Sequence, residues 1–258
     1  MNQVSTSELA QWLDTLLQPQ RFRDYCPNGL QVEGKSVIRH IITGVTASRA
    51  LLEAAIEQEA DAVLVHHGWF WKNEDPRLIG PKRERTALAL AHDLNLFAYH
   101  LPLDAHSTLG NNAQLAKVLG LQADRDDEGT PLTCGPDSLV WLGRCVQPQT
   151  LEALGTGICK ALHRQPLVVG NPQQKIERVA WCTGGAQNMM QSAIDAGAQA
   201  YITGEASEQT YHLAQETGVG FIAAGHHATE RYGVQAVGQA IAERFNIKVQ
   251  FIDVNNPI

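Results

Sequence analysis

The strongest constraint on the fold is an alternation that runs almost the length of the chain. Short runs rich in β-branched and aromatic residues read as strands: VIRHIITGV (37–45), AVLVHH (62–67), LFAYHL (96–101), SLVWLGRCV (138–146), PLVVG (166–170), KIERVAWCT (175–183), AYITG (200–204), VGFIAAG (219–225) and KVQFIDV (248–254). Between them lie segments with apolar residues at helical spacing: 5–17, with Ser5 or Ser7 as N-cap, then 48–59, 82–93, 110–119, 149–163, 187–196, 206–216 and 227–244. Strands alternating with helices over short connections predict an α/β architecture with mixed, largely buried sheets. CPNGLQVEG (26–34) reads as a turn-rich loop. The pattern fails over 122–136, which is acidic and rich in turn residues. That break predicts a boundary between two α/β units, 1–125 and 126–258, with the C-terminal helix and strand able to pack back on the first.

The two units also look alike. VIRHIITGVTASRALLEAAIEQEADAVLVHH (37–67) lies over KIERVAWCTGGAQNMMQSAIDAGAQAYITGE (175–205) without a gap. Ile38/Ile176, Ala55/Ala193, Ile56/Ile194, Ala60/Ala198 and Ala62/Ala200 coincide. Either an internal duplication or the shared physics of β-α-β units accounts for this.

Composition excludes several classes. The 258 residues are 44% hydrophobic and 18% charged, so the chain is not disordered. No stretch approaches the roughly 18 apolar residues of a membrane span. The first 20 residues lack the basic start and apolar run of a signal peptide. A formal net charge of −7 with no Lys/Arg block opposes nucleic acid as a partner. Five cysteines with no CxxC pair fit a reducing, cytoplasmic setting and oppose a disulfide scaffold or zinc ribbon. There is no GxGxxG and no GxxxxGK[ST] loop. CTGGAQ (182–187) is either an anion-holding turn at a helix N-terminus or simply a tight connection.

The informative feature is where the ten histidines fall. In open α/β sheets ligands gather beyond the carboxyl ends of strands. Four such ends carry His66-His67-Gly68, His100 through Asp104 to His106, Thr203-Gly204-Glu205, and His226-His227 through Glu230. Imidazole with carboxylate is the donor set of zinc, iron, manganese and nickel. His226 and Glu230, four apart at a helix start, share one face. His66 and His67, at a strand end where the backbone turns, can address two ions. Asp104 and Glu230 can bridge ions. His66, His67, Asp104, His226 and Glu230 are therefore the candidate metal ligands. His100 is expected behind them, holding a ligand or a substrate proton. Glu205 and His212 either line the pocket or, for Glu205, cap the next helix. His40, His92 and His163 read as ordinary structural histidines. Trp69, Phe70 and Trp71 either stack on a flat ligand or pack as a lid or subunit contact.

VHHGWFWK (65–72), HLPLDAHSTLGNNAQLA (100–116), AWCTGGAQ (180–187), ITGEASEQTYH (202–212) and GHHATERYG (225–233) resemble the NIF-three-like family, also called type 2 GTP cyclohydrolase I homologues. The likeness runs from about residue 5 to the end of the chain. It implies two related α/β units with a dinuclear metal site in the cleft between them. His66, His67, Asp104, His226 and Glu230 fall on the family's ligand positions. It further implies a toroidal homohexamer, and hydrolytic opening of the imidazole ring of guanine as the named activity.

Two expectations follow. One is a metal-dependent hydrolase of a nucleotide-like or other small substrate, with a metal-bridging hydroxide as nucleophile and His100 as proton shuttle. The other is a non-enzymatic metal or metal-cofactor chaperone, or an interaction scaffold. The sequence does not choose among the four metals.

Overall fold

A computed structural model describes residues 2–258. The chain divides into two compact units, Met1–Gly110 with Gly233–Asn255 and Asn111–Tyr232 with Asn256–Ile258. The expected division near 125 is thus displaced to Gly110. The acidic stretch is not a linker. Its flanks form the short strands Leu121–Ala123 and Thr133–Cys134, both antiparallel to Val140–Thr150 within the second unit's sheet. The helix Asn111–Leu119 goes with that unit because Ala113, Leu115 and Ala116 pack with Trp141 and Trp181. Asn112 ties the helix down: it receives Trp181 Nε1 on its carbonyl and Thr183 N–H on Oδ1, and its amide donates to the Leu139 carbonyl.

The first unit is built on a five-stranded sheet in the order Lys248–Phe251, His40–Thr46, Ala62–His67, Asn95–Ala98, Gly29–Val32. The first four strands are parallel and the last antiparallel. Side chains alternate across a strand, and the sheet buries both faces accordingly. Ile41, Leu64 and Phe97 pack with Leu9 and Leu13 of the helix Thr6–Leu17 and with Val237 and Ile241 of the helix His226–Phe245. Ile42, Val63, Val65 and Leu96 pack on the opposite cluster with Leu51, Leu52 and Ala55 of the helix Arg49–Glu57. Ser48 caps that helix by accepting from Leu51 N–H, and Ser5 caps the first helix by accepting from Glu8 N–H. The strand Gly29–Val32 lies in the segment read as loop. It is short and sits at the sheet edge, where turn residues such as Asn28-Gly29 mask a strand signal.

The second unit holds a mixed sheet, in the order Leu167–Val169, Gly220–Ala223, Ala200–Thr203, Lys175–Trp181, Val140–Thr150, Leu121–Ala123. Its central strands are parallel. The helix Leu151–Leu162, capped by Thr150, supplies Leu154 and Ile158 to one face. Tyr201 and Phe221 fill the other, with ring centroids 6.2 Å apart, and Tyr201 Oη donates to the Ala186 carbonyl.

The likeness of the units extends to register. Ile41 pairs with Ala62 as Val179 pairs with Ala200, and Ile42 with Val63 as Ala180 with Tyr201. Both couples are separated by the 138-residue offset at which the sequences align. Among the described residues no helix is long and apolar enough to cross a membrane.

Candidate metal centre

The first unit gathers its donors at the carboxyl ends of two adjacent parallel strands. His66 and His67 end the strand Ala62–His67. His100 and Asp104 follow Asn95–Ala98, the former as N-cap and the latter within the short helix Leu101–Ala105. His66 is completely buried. Its Nδ1 lies 3.0 Å from the Tyr99 carbonyl, which can only accept, so Nδ1 carries a hydrogen and Nε2 is the nitrogen that faces the site. That Nε2 stands 3.5 Å from Asp104 Oδ1. The His67 ring is half-buried, 4.5 Å from that of His66, with Nδ1 3.2 Å from Thr46 Oγ1. A carbonyl, carboxylate or hydroxyl on the far nitrogen is how proteins orient a ligating imidazole.

His100 is held more tightly than its neighbours. Its Nδ1 donates to Asp24 Oδ1 at 2.6 Å and its backbone N–H donates to Asn28 Oδ1 at 2.7 Å. Asp24 also receives the N–H groups of Tyr25 and Leu101 and the Asn28 side-chain amide. Burial opposes the charge of Asp24, but these donors, led by His100, outweigh it and bring the carboxyl down to about 2. Nothing in the pattern singled out Asp24; an acid just ahead of the Cys-Pro-Asn-Gly turn was the available signal. In the neighbouring Cys26, burial and the charge of Asp24 push the thiol up to about 12.

In the second unit His226 opens the helix His226–Phe245 and Glu230 follows one turn later. His226 Nε2 is 3.2 Å from Glu230 Oε2, while its Nδ1 lies 2.6 Å from Glu205 Oε1. Burial alone lowers the imidazole pKa. The two carboxylates overcome this and raise it to about 9. Glu230 is 2% exposed. The CTGG turn lies directly against this pair. A Cβ on Gly184, whose φ is +70°, would stand 2.0 Å from Glu230 Oε1. Gly184 N–H donates to Thr229 Oγ1. The turn therefore serves close backbone approach to the carboxylate.

The remaining candidates separate cleanly. Glu205 lines the site through His226 and Gln187, and the cap of the next helix is Ser207 instead. His212 lies on an exposed helix face, 4.0 Å from Glu208, outside the cluster. His106 accepts the N–H groups of Thr108 and Leu109 and shapes a turn. His40 bonds Gln250. Trp69 is buried, with Nε1 donating to the Ala47 carbonyl. Trp71 sets its edge on His100, centroids 5.0 Å apart, and Phe70 is exposed beneath Lys82.

Each unit thus presents imidazole beside carboxylate with the outer ring nitrogen already engaged. That donor set fits a borderline divalent cation such as zinc, iron, manganese or nickel.

Comparison with known proteins places this architecture. The chain is 54% identical over 246 residues to a Neisseria meningitidis serogroup B protein named GTP cyclohydrolase 1 type 2 homolog, covering 95% of this chain and 96% of that protein. The structure of protein ybgI matches with a TM-score of 0.93 at 47% identity over 99% of this chain and 100% of the other. TTHA1606 from Thermus thermophilus matches at 0.84 and 32% identity, covering 99% and 100%. A family profile, Duf34/NIF3 (NGG1p interacting factor 3), matches residues 4–257. With its sequence matched to that profile nearly end to end, the chain belongs to the Duf34/NIF3 family.

Proposed function

We propose that His66, His67 and Asp104 together with His226 and Glu230 hold two divalent transition-metal ions, and that the protein is a cytoplasmic homohexamer using them to hydrolyse a nucleotide-like or other small substrate. The observation that carries this reading is the arrangement of His66. A fully buried imidazole has its Nδ1 fixed on a carbonyl and its Nε2 beside the buried Asp104 carboxylate. A neutral core histidine would not need an acid there. His226, set between Glu205 and Glu230, repeats the logic.

Ions of this class, when bound, supply a Lewis acid that polarises a substrate oxygen and acidifies water. The chain's own residues do the rest. Tyr99, Thr46 and Glu205 orient the imidazoles. Gly184 lets the backbone approach Glu230, keeping its carboxylate in a dry setting where electrostatic interactions are strong. Trp71 walls off the His67 and His100 rings. The curated relative's name points to purine ring opening as the first reaction to assay.

The test is a panel of purine nucleotides and derivatives incubated with protein reloaded with each of the four metals. Turnover that disappears in Glu230→Gln is the expected result. Stoichiometric metal with no turnover on any member would overturn the hydrolase reading. Direct transfer of that metal to an acceptor protein, faster than free dissociation, would replace it with a delivery role.

A further inference from the structure

We propose that Arg164 and the segment Asn256–Ile258 are positioning elements: together they strap the first turn of the helix His226–Phe245, and the strap sets how tightly His226 and Glu230 take a divalent cation. The inference rests on the metal reading above and changes none of its donors. Arg164, the segment and the start of the helix all belong to the second unit. That helix start is poorly provided for by its own sequence. The first N–H groups of an α-helix have no partner within it. Gly225, just ahead of His226, has no side chain with which to cap, and the first turn holds no acid to meet the positive end of the helix dipole.

The segment 256–258 brings oxygens to that end. The Ile258 carbonyl accepts the His227 N–H at 3.0 Å. The Ile258 N–H donates to Asn256 Oδ1 at 2.9 Å, which curls the segment. Arg164 Nη1 donates to the Pro257 carbonyl. The Ile258 side chain is 58% exposed, so the main chain does the strapping. Arg164 is otherwise hard to explain, because a cation at a helix N-terminus stands at the wrong end of the dipole. The end of the helix Leu151–Leu162 delivers it there: His163 takes a left-handed φ of 55°, and the Arg164 N–H donates to the Cys159 carbonyl. Its side chain then crosses Gly225, where a Cβ would stand 2.6 Å from Arg164 Nε at a φ of +105°. That Nε is buried with no hydrogen-bond partner among the described residues. A guanidinium held at that cost is accounted for by the Pro257 carbonyl it grips.

The strap reaches the donors through the helix. His226 is its first residue and Glu230 follows one turn later, with Nε2 and Oε2 3.2 Å apart. That spacing exists only while the first turn is wound. Helix ends are where local opening is cheapest. A cation binds the wound form, so its apparent affinity falls with the fraction of protein in which the turn is open. Arg231, beside Glu230, ties the helix to the same place, its Nη2 donating to the Leu162 carbonyl at 3.2 Å.

Cobalt(II) is the probe, titrated into metal-free full-length protein and followed by equilibrium dialysis and d–d absorption, with amide hydrogen exchange beside it. Arg164→Ala and a chain ended after Asn255 should each weaken cobalt binding about tenfold. Combining them should add little, because they break one tie. Arg164→Lys, which keeps a donor, should recover part of the loss. Linkage makes the effect reciprocal, so saturating cobalt should slow exchange of the His227 and Ile258 amides in wild-type protein. That measurement needs no variant and stands if the variants fold poorly. Cobalt affinity unchanged in both Arg164→Ala and the shortened chain overturns the inference. So does exchange at 226–230 and 256–258 that ignores cobalt. Wild-type protein that binds no cobalt at all defeats the metal reading itself, a distinct outcome. Exchange at 226–230 then decides the strap: a rate no faster in metal-free Arg164→Ala than in wild type overturns it as well.

Discussion

Glu230 and His226 form a pair in which a proton stands where a cation would. With both Glu205 and Glu230 on the ring, His226 stays protonated to about pH 9 in metal-free protein. A pKa raised in the folded state contributes stability that is complete below the unfolded value near 6.5. It is lost as pH rises through about 9. Metal-free protein should therefore unfold more readily at pH 9.5 than at pH 6.5. The metal-loaded form, whose imidazole is already deprotonated, should not show this loss, and its apparent metal affinity should rise over the same interval. Thermal melts with and without metal across that range check both. Gly184→Ala makes a second test at this scale. The added methyl meets Glu230 at a φ that L-residues avoid, so stability should fall by about 2 kcal/mol or more and metal affinity with it. The imidazole and carboxylate candidates were legible because clusters of them at strand ends have few structural uses. Asp24 was not, because its partner His100 lies 76 residues away and only folding joins them.

The β-α-β elements of the two units share a device that alignment did not reveal. Asp61 takes the backbone N–H groups of Arg39 and His40 on Oδ2, where the strand segments Val37–Ile38 and His40–Thr46 part company. Gln199, 138 residues on, takes those of Glu177 and Arg178 on Oε1, beside a register shift in the strand Lys175–Trp181. Their own backbones repeat the match: Asp61 N–H donates to the His40 carbonyl and Gln199 N–H to that of Arg178, both at 2.9 Å. A carboxylate and an amide thus do one job, which favours duplication over chance likeness. Asp61→Ala or Gln199→Ala strands two backbone donors. For Asp61→Ala, whose two donors are partly or fully buried, the cost should be about 2–6 kcal/mol, at roughly 1–3 kcal/mol per unsatisfied group, and Gln199→Ala, whose donors are exposed to water, should cost less. Asp61→Asn should cost less. Denaturant unfolding measures all three. Element order was readable from hydrophobic period, whereas the edge strand Gly29–Val32 and the paired strands around 121–134 were not. Edge pairing is decided by partners elsewhere in the chain, and turn residues dominate both segments.

At the scale of the whole molecule, the chain exposes Leu78, Ile79 and Leu90 around the helix Gly80–Ala91, together with Phe70. Exposed apolar side chains along one stretch of the chain suit a subunit contact. The proposed homohexamer should sediment as six 28.2 kDa chains. Leu78→Asp/Ile79→Asp should shift it to smaller species while leaving the circular dichroism of the chain intact. A wild-type monomer in dilute solution would contradict the ring. No composition argument reaches this level, because the net charge of −7 sets solubility and not assembly.

The central claim is that donors separated by more than a hundred residues serve one pair of ions. Its most direct test is elemental analysis of protein purified from its native host without chelator or added metal, with His66→Ala and His226→Ala beside it. The account predicts two divalent transition ions per chain in the native protein and a loss in each variant, although the two substitutions lie in different units. Metal at background in the native protein, or native content retained in both variants, would contradict it.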